Sequence, residues 1–260
     1  MKFLSTTATA FLLSITASSA GVLAQPVVPN DNSNKNNGNL LSTRQDTSVP
    51  LRIMPLGASI TWGTESEDGN GYRKVLYDSL EELGFSVDMV GSQQSGDMED
   101  KDNEGHPGWR IAEVSGAADA TIPEQPNVVL INAGTNDCIQ DYDVATAHER
   151  MRDLVDKLLA EIPGTTVVLS TLLPNADDVV DGRVAGVNDK FRALVESMGA
   201  EDGKRVVLAE MNDGYITRDD LVEDGIHPNR NGYIKMAMIW FEAIVNASKD
   251  GVLQTPNEAV

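Results

Sequence analysis

The sequence predicts an α/β protein built on an open, five-stranded parallel sheet with helices on both faces. Three observations predict it. From Leu51 onward, short apolar runs rich in β-branched residues alternate with longer stretches of helical period. The runs NVVLINAG (127–134) and TTVVLSTLL (165–173) have cores that are apolar throughout, as strands buried on both sides require. The stretch from Leu51 to Asp250 is about 200 residues, enough for one well-cored domain and short for two.

Taken in order, LRIMPL (51–56) is the first strand. GYRKVLYDSLEELG (71–84) follows as a helix, with Val75, Leu76, Leu80 and Leu83 on one face and Gly84 as its stop. FSVDMVG (85–91) is the second strand, and a glycine- and acid-rich loop carries the chain to the third at 127–134. ATAHERMRDLVDKLLAEIPG (145–164) places Met151, Leu154, Val155, Leu158 and Leu159 on a helix face before Pro163 and Gly164 end it. The fourth strand at 165–173 is followed by the helix VAGVNDKFRALVESMG (184–199). The strand KRVVLAEM (204–211) and the helix NRNGYIKMAMIWFEAIVNAS (229–248) close the domain. In such a sheet, chemistry is expected in the loops beyond the carboxyl ends of the strands.

The flanks read differently. Residues 1–24 carry one basic residue, a short apolar run from Phe11 to Ile15 and many small residues, the pattern of a secretory signal peptide. Val22 and Ala24 suit cleavage before Gln25, with Ala20 as an alternative, and the run is too short to span a bilayer. Residues 25–50, rich in Asn, Ser and Pro, are expected to form a disordered arm, with the folded domain over 51–250 and a flexible tail over 251–260.

Forty acidic against twenty basic residues give a formal charge of −20. That charge repels nucleic acid phosphates and anionic membrane surfaces, so neither is an expected partner. The single cysteine, Cys138, excludes an intramolecular disulfide. It reads as a small, partly buried residue rather than a nucleophile. The sequon at Asn246, completed by Ser248, is a candidate glycosylation site.

Four strand-end segments hold unusual residue sets: PLGASITWG, EGHPGWRI, NAGTNDC and DGIHPN. Ser59 directly follows the first strand, where a hydroxyl can face the cleft. Its surroundings do not match the G-x-S-x-G elbow. In DGIHPN, Asp224 lies three residues before His227 and can hold its Nδ1 proton while Nε2 faces a nucleophile. His148 lies among charges in a helical stretch and reads as a solvated residue. His106, with no carboxylate of obvious geometry beside it, reads as a substrate contact or loop-structuring residue. Attack on an ester also needs oxyanion donors, for which the Gly108 N–H and the Asn136 amide are suited in kind. The loop 95–106 is acidic, but it lacks the regular ligand spacing of a calcium loop and reads as a solvated face.

Together and in this order the four stretches resemble the SGNH, or GDSL-type, hydrolase superfamily. Its blocks are matched by GASIT, GHPGW, GTND and DGIHPN, and the resemblance runs from Leu51 to about Ala247. It implies Ser59, His227 and Asp224 as catalytic residues and Ser59, Gly108 and Asn136 as the oxyanion hole, with Gly91 and Gly105 as rival glycines. The sequence departs from the family at Ala58, where the name-giving Asp would stand, which bears on local hydrogen bonding around Ser59. The blocks look most like those of secreted carbohydrate esterases similar to acetylxylan esterases. That resemblance implies a flavodoxin-like three-layer sandwich of strand order 2-1-3-4-5, the SGNH hydrolase fold, and deacetylation of plant cell-wall polysaccharide. Two-step acyl transfer through an acetyl-enzyme needs no cofactor and no metal. Trp62, His106 and Trp109 are candidate contacts to an acylated carbohydrate, and Tyr72 is a further aromatic near the site. The alternatives are an esterase or lipase acting on other acyl groups and a non-catalytic carbohydrate-binding protein of the same fold.

Overall fold

The structure, a computed structural model, describes residues 47–202 and 205–260. The expected signal peptide (1–24) and residues 25–46 of the arm lie outside the described residues. In chain order the strands are β1 (Leu51–Gly57), β2 (Val87–Met89), β3 (Gln93–Gln94), β4 (Asp102–Gly105), β5 (Val128–Asn132), β6 (Thr166–Ser170) and β7 (Val206–Ala209). The helices are α1 (Ser59–Trp62), α2 (Arg73–Leu83), α3 (Ile111–Ala117), α4 (Thr135–Ile139), α5 (Ala147–Glu161), α6 (Asp178–Asp202) and α7 (Arg230–Lys249).

The five expected strands pair in parallel as β2-β1-β5-β6-β7, the order 2-1-3-4-5. Parallel neighbours cannot be joined by a hairpin, so helices carry the chain across the faces. Side chains alternate between two cores. Met54, Leu56, Val129, Ile131, Val167 and Leu169 pack with Val114, Met151, Leu154 and Phe191 on one face. Leu51, Ile53, Val128, Leu130 and Val168 pack with Leu76, Leu80, Met236 and Trp240 on the other. The result is the three-layer α/β sandwich the apolar strand cores predict, with β5 and β6 buried along their whole length.

Among the described residues the sheet holds seven strands rather than five. The second position is split: β2 pairs with Leu51–Ile53 of β1, and β4 pairs with Leu56 and Gly57 farther along the same strand. Between them β3 and β4 form a short antiparallel pair. The strands QQ and DNEG are polar, so no apolar period marks them. Helix α6 starts at Asp178, ahead of the expected 184, and Leu83 is exposed rather than on the core face. No described helix is long and apolar enough to cross a membrane.

The tail 251–260 is not frayed as expected. Leu253 is buried in the second core. The buried Asn127 side chain accepts the Arg52 N–H at 2.7 Å and donates to the Pro50 and Gln254 carbonyls at 2.9 and 2.6 Å. Arg52 donates to the Asn257 carbonyl, and Asn257 donates in turn to the Pro163 carbonyl at 2.7 Å. Single amides meeting carbonyls leave no periodic signal, which is why composition alone misread this segment. Deleting residues 251–260 removes these bonds and the burial of Leu253, and is expected to lower stability by roughly 3 kcal/mol in urea unfolding. An unchanged unfolding midpoint would show that the tail contributes nothing.

Candidate active site

Strand β1 ends between β4 and β5, where Gly57 lies beside Gly105 and Asn132. A Cβ at Gly57 would stand 2.3 Å from the Asn132 carbonyl oxygen and 2.4 Å from Thr61 Oγ1, so only glycine lets the chain turn there. The backbone passes through Ala58, a buried residue with no polar side chain to cap the helix, and α1 opens at Ser59. Gly63, at φ +94°, ends α1 after one turn. Ser59 is thus presented at the carboxyl edge of the sheet, with the first N–H groups of α1 lacking intrahelical acceptors.

The segment DGIHPN arrives from the far end of the chain. His227 Nε2 is 2.8 Å from Ser59 Oγ, and His227 Nδ1 is 2.6 Å from Asp224 Oδ2. The other carboxylate oxygen, Oδ1, accepts the backbone N–H groups of Ile226 and His227 at 2.8 and 2.9 Å. Burial alone would raise the Asp224 pKa, but the hydrogen bonds from the His227 ring and these two N–H groups hold the carboxyl below its ordinary value of 3.8. An ionised Asp224 accepts only, so Nδ1 carries the ring proton and Nε2 is the lone-pair side that faces the Ser59 hydroxyl.

This loop is anchored at both ends. The Asn229 side chain caps α7 by accepting the N–H groups of Asn231 and Gly232. The buried Asp220 accepts from the Thr217 N–H, Asn231 and Lys235, while its carbonyl takes the Asn229 N–H at 2.8 Å. Val222 N–H bonds the His227 carbonyl, closing the turn across Gly225 at φ +70°.

Asn136 lies in the first turn of α4, beyond β5. Together with Ser59 it lines a recess whose walls include Ala58, Ile60, Asn132 and Thr135. The space there is about 10 Å³, room for about one water-sized group. The Asn136 amide donates to the Trp109 carbonyl at 2.8 Å, which uses one of its two hydrogens. Gly108 is exposed at φ +85°, with open space where a Cβ would be, and does not line that recess. Of its rivals, Gly105 packs against Trp62 and gives its N–H to Asn103 Oδ1, and Gly91 packs against the Asn103 backbone. Close packing therefore explains both rivals without an oxyanion role.

The Asp of GTND, to which the sequence attached no role, joins two loops. Asp137 is fully buried, accepts the Ile111 N–H at the start of α3 and pairs with Arg150 at 3.0 Å. His106 does have a carboxylate partner, contrary to expectation. Glu104, two residues back and fully buried, meets its Nε2 at 2.6 Å and also accepts from Ser92 and Thr121. The His106 ring stacks on the exposed Trp109 at 4.3 Å between centroids. Trp62 is half-buried, whereas Tyr72 is a core residue packed near Trp240. In the loop 95–106, Asp97 holds Asn70, Asp100 takes the Met89 N–H and Asp102 holds Gln94. These carboxylates serve the loop's own backbone and neighbours rather than simply facing solvent. His148 is half-buried, with Nδ1 buried and unbonded, rather than solvated as expected. Asn246 is exposed within α7. A larger groove, lined by Leu208, Tyr215, Met238 and Phe241, contains none of the candidate catalytic residues.

A sequence profile of the GDSL-like Lipase/Acylhydrolase family matches residues 56–234. The chain is 29% identical over 234 residues to a multidomain esterase of Ruminococcus flavefaciens, covering 79% of this chain and spanning 30% of that protein's length. Its fold is similar to that of a Clostridium thermocellum family 3 carbohydrate esterase, with a TM-score of 0.68, 27% identity and coverage of 78% of this chain and 99% of that one. A family 3 carbohydrate esterase from Talaromyces cellulolyticus shares the fold, with a TM-score of 0.67, 24% identity and coverage of 77% and 99%.

Two outcomes follow from the electrostatics. Because the folded-state pKa of Asp224 is depressed, its stabilising contribution is present above the ordinary carboxylate range and lost as pH falls through the lowered value. The stability advantage of the parent over Asp224→Asn is expected to shrink as pH drops below about 4. An advantage that persists undiminished into stronger acid would contradict this assignment. Cys138 is fully buried, not partly so. Its thiol is pushed up to about 12 by burial and by Asp137, with Arg183 opposing. Iodoacetamide should leave the native chain unlabelled and its activity intact, while the urea-unfolded chain is labelled. Rapid labelling of the native thiol would overturn the reading.

Proposed function

Because the chain belongs to the GDSL-like lipase/acylhydrolase family, we propose that it is a secreted serine esterase of the carbohydrate-esterase type that removes acetyl groups from plant cell-wall polysaccharide such as acetylxylan. The observation that carries the proposal is the unbroken hydrogen-bond chain from Ser59 Oγ through His227 to Asp224, at 2.8 and 2.6 Å. His227 takes the Ser59 proton as the hydroxyl oxygen attacks the ester carbonyl. Asp224 keeps the ring oriented and stabilises the imidazolium. The tetrahedral oxyanion settles against the Ser59 N–H and the Asn136 amide, the two donors that share the recess. Collapse expels the sugar alkoxide, which His227 protonates, and leaves Ser59 acetylated. Water activated by His227 then attacks the acetyl carbonyl, releasing acetate and restoring the serine.

The small recess between Ser59 and Asn136 supports a compact reacting centre, and the exposed Trp109, stacked on His106, supplies an aromatic face beside it for a sugar ring. The likeness to a family 3 carbohydrate esterase supports a carbohydrate ester as the substrate.

The test is acetate release from acetylated xylan and from a small acetyl ester. The parent is expected to act on both. Ser59→Ala, folded by circular dichroism, should lose at least about a thousandfold in kcat. Asn136→Ala is expected to lose roughly a hundredfold in kcat with little change in KM, as for removal of one oxyanion donor. Activity on the small ester alone would overturn the polysaccharide assignment. Full activity in Ser59→Ala would overturn the mechanism.

A further inference from the structure

Arg73 is an arginine with its whole side chain buried and, among the described residues, no carboxylate bonded to it. A guanidinium in that position loses its hydration, and desolvation pulls its pKa down, opposed by Tyr72 and Tyr233 and then by Asp100 and Asp68. Such a group is tolerated only where its donors are fully used. Here they are directed at five backbone carbonyls and the Ser95 hydroxyl. Nε donates to the Thr61 carbonyl at 3.1 Å and Nη1 to the Lys101 carbonyl at 3.2 Å. Nη2 reaches the carbonyls of Trp62, Gly69 and Ser95 at 3.2, 3.1 and 2.9 Å and Ser95 Oγ at 2.7 Å.

Two of those acceptors, Thr61 and Trp62, are the last residues of α1, the one-turn helix that begins at Ser59. Carbonyls at a helix end have no intrahelical donor, and a positive charge there also opposes the negative end of the helix dipole. The other acceptors belong to the loop after α1 and to the segment leading into β4. Ser95 extends the link: its hydroxyl donates to the Trp62 carbonyl at 2.6 Å and accepts from Asn103 Nδ2 at 3.1 Å. Asn103 Oδ1 in turn accepts the Gly105 N–H, at the root of the loop that carries Gly108 and Trp109. One buried relay therefore ties the helix that carries Ser59 to the strand that carries the glycine loop.

We propose that Arg73, acting with Ser95, is a positioning residue that sets where α1 holds Ser59 relative to His227 and to the 105–109 loop. It touches no reacting atom. This inference rests on the serine-esterase reading for its kinetic consequence, but its structural content stands separately. A lysine keeps the charge but lacks the planar fork needed to bridge α1, Gly69 and Ser95 at once.

The experiment compares the parent with Arg73→Lys and with Ser95→Ala, the milder change, which removes only the hydroxyl of the relay. Steady-state kinetics on a small acetyl ester are measured beside hydrogen exchange of peptides across the chain, including those covering 57–64 and 101–109. Expected are a fall in kcat of roughly tenfold to a hundredfold with KM within about twofold, and faster exchange confined to 57–64 and 101–109. If Arg73→Lys does not fold, Ser95→Ala alone decides, with a fall in kcat of about tenfold. A folded variant with parental kcat and parental exchange overturns the proposal. Should the parent itself hydrolyse no ester, the esterase reading fails. Exchange then decides on its own: faster exchange at 57–64 supports the positioning role, and unchanged exchange overturns it.

Discussion

The hydrogen bond between Ser59 Oγ and His227 Nε2 joins two residues 168 positions apart in the chain, and much of the architecture holds its two ends in place. A 2.8 Å contact tolerates little slack, because an error of about 1 Å in such a pair can cost a hundredfold in rate. One end is held by the sheet: β1 is flanked by strands on both sides, and Gly57 admits the close approach of Asn132 that puts Ser59 at the strand end. The other end is held by a turn that Asp224 organises twice, through the ring of His227 and through two backbone N–H groups. The same carboxylate thus sets both the tautomer and the place of the imidazole.

Around this pair the protein buries charge in a consistent way. Glu104, Asp137, Asp220 and Arg73 are all withdrawn from water, and each is matched by several hydrogen-bond partners. Buried charges of this kind are weak contributors to stability compared with apolar packing of the same volume. What they provide is geometry. Asp137 ties α3 to α4 and α5, Asp220 ties the turn before His227 to α7, and Glu104 ties His106 to Thr121. The apolar cores on either face of the sheet supply the driving force, and the polar ties decide where the loops come to rest.

The readable part of this fold was the part that follows a period. Residues 128–131 and 167–169 are apolar at every position, and both runs lie in strands buried along their whole length. Met151, Leu154, Val155 and Leu158 recur at helical spacing, and all four are buried on one face of α5. The candidate site was readable for a related reason: Ser59 and Asn136 each sit in a short block just past a strand, and the three-residue spacing from Asp224 to His227 fits a single turn. Features built from single polar contacts were not readable. The pair β3 and β4, the docking of Asn257 on Pro163, the bond from His106 to Glu104 and the burial of Arg73 each depend on a partner remote from its own segment's pattern, or on a pairing that residue spacing alone does not mark. Leu83 erred in the opposite sense, since it falls within the apolar stripe of α2 but lies in the last turn, past the contact with the core.

The most direct test of the account is to trap its covalent intermediate. The protein would be mixed with a fast-leaving aryl acetate, quenched in acid within the first turnover, digested and mapped by mass spectrometry. One acetyl group is expected on the peptide that carries Ser59, lost again when the quench is delayed after substrate is consumed. Acetate release with no acetylated peptide, or with the acetyl group on another residue, would contradict the assignment of Ser59 as the nucleophile.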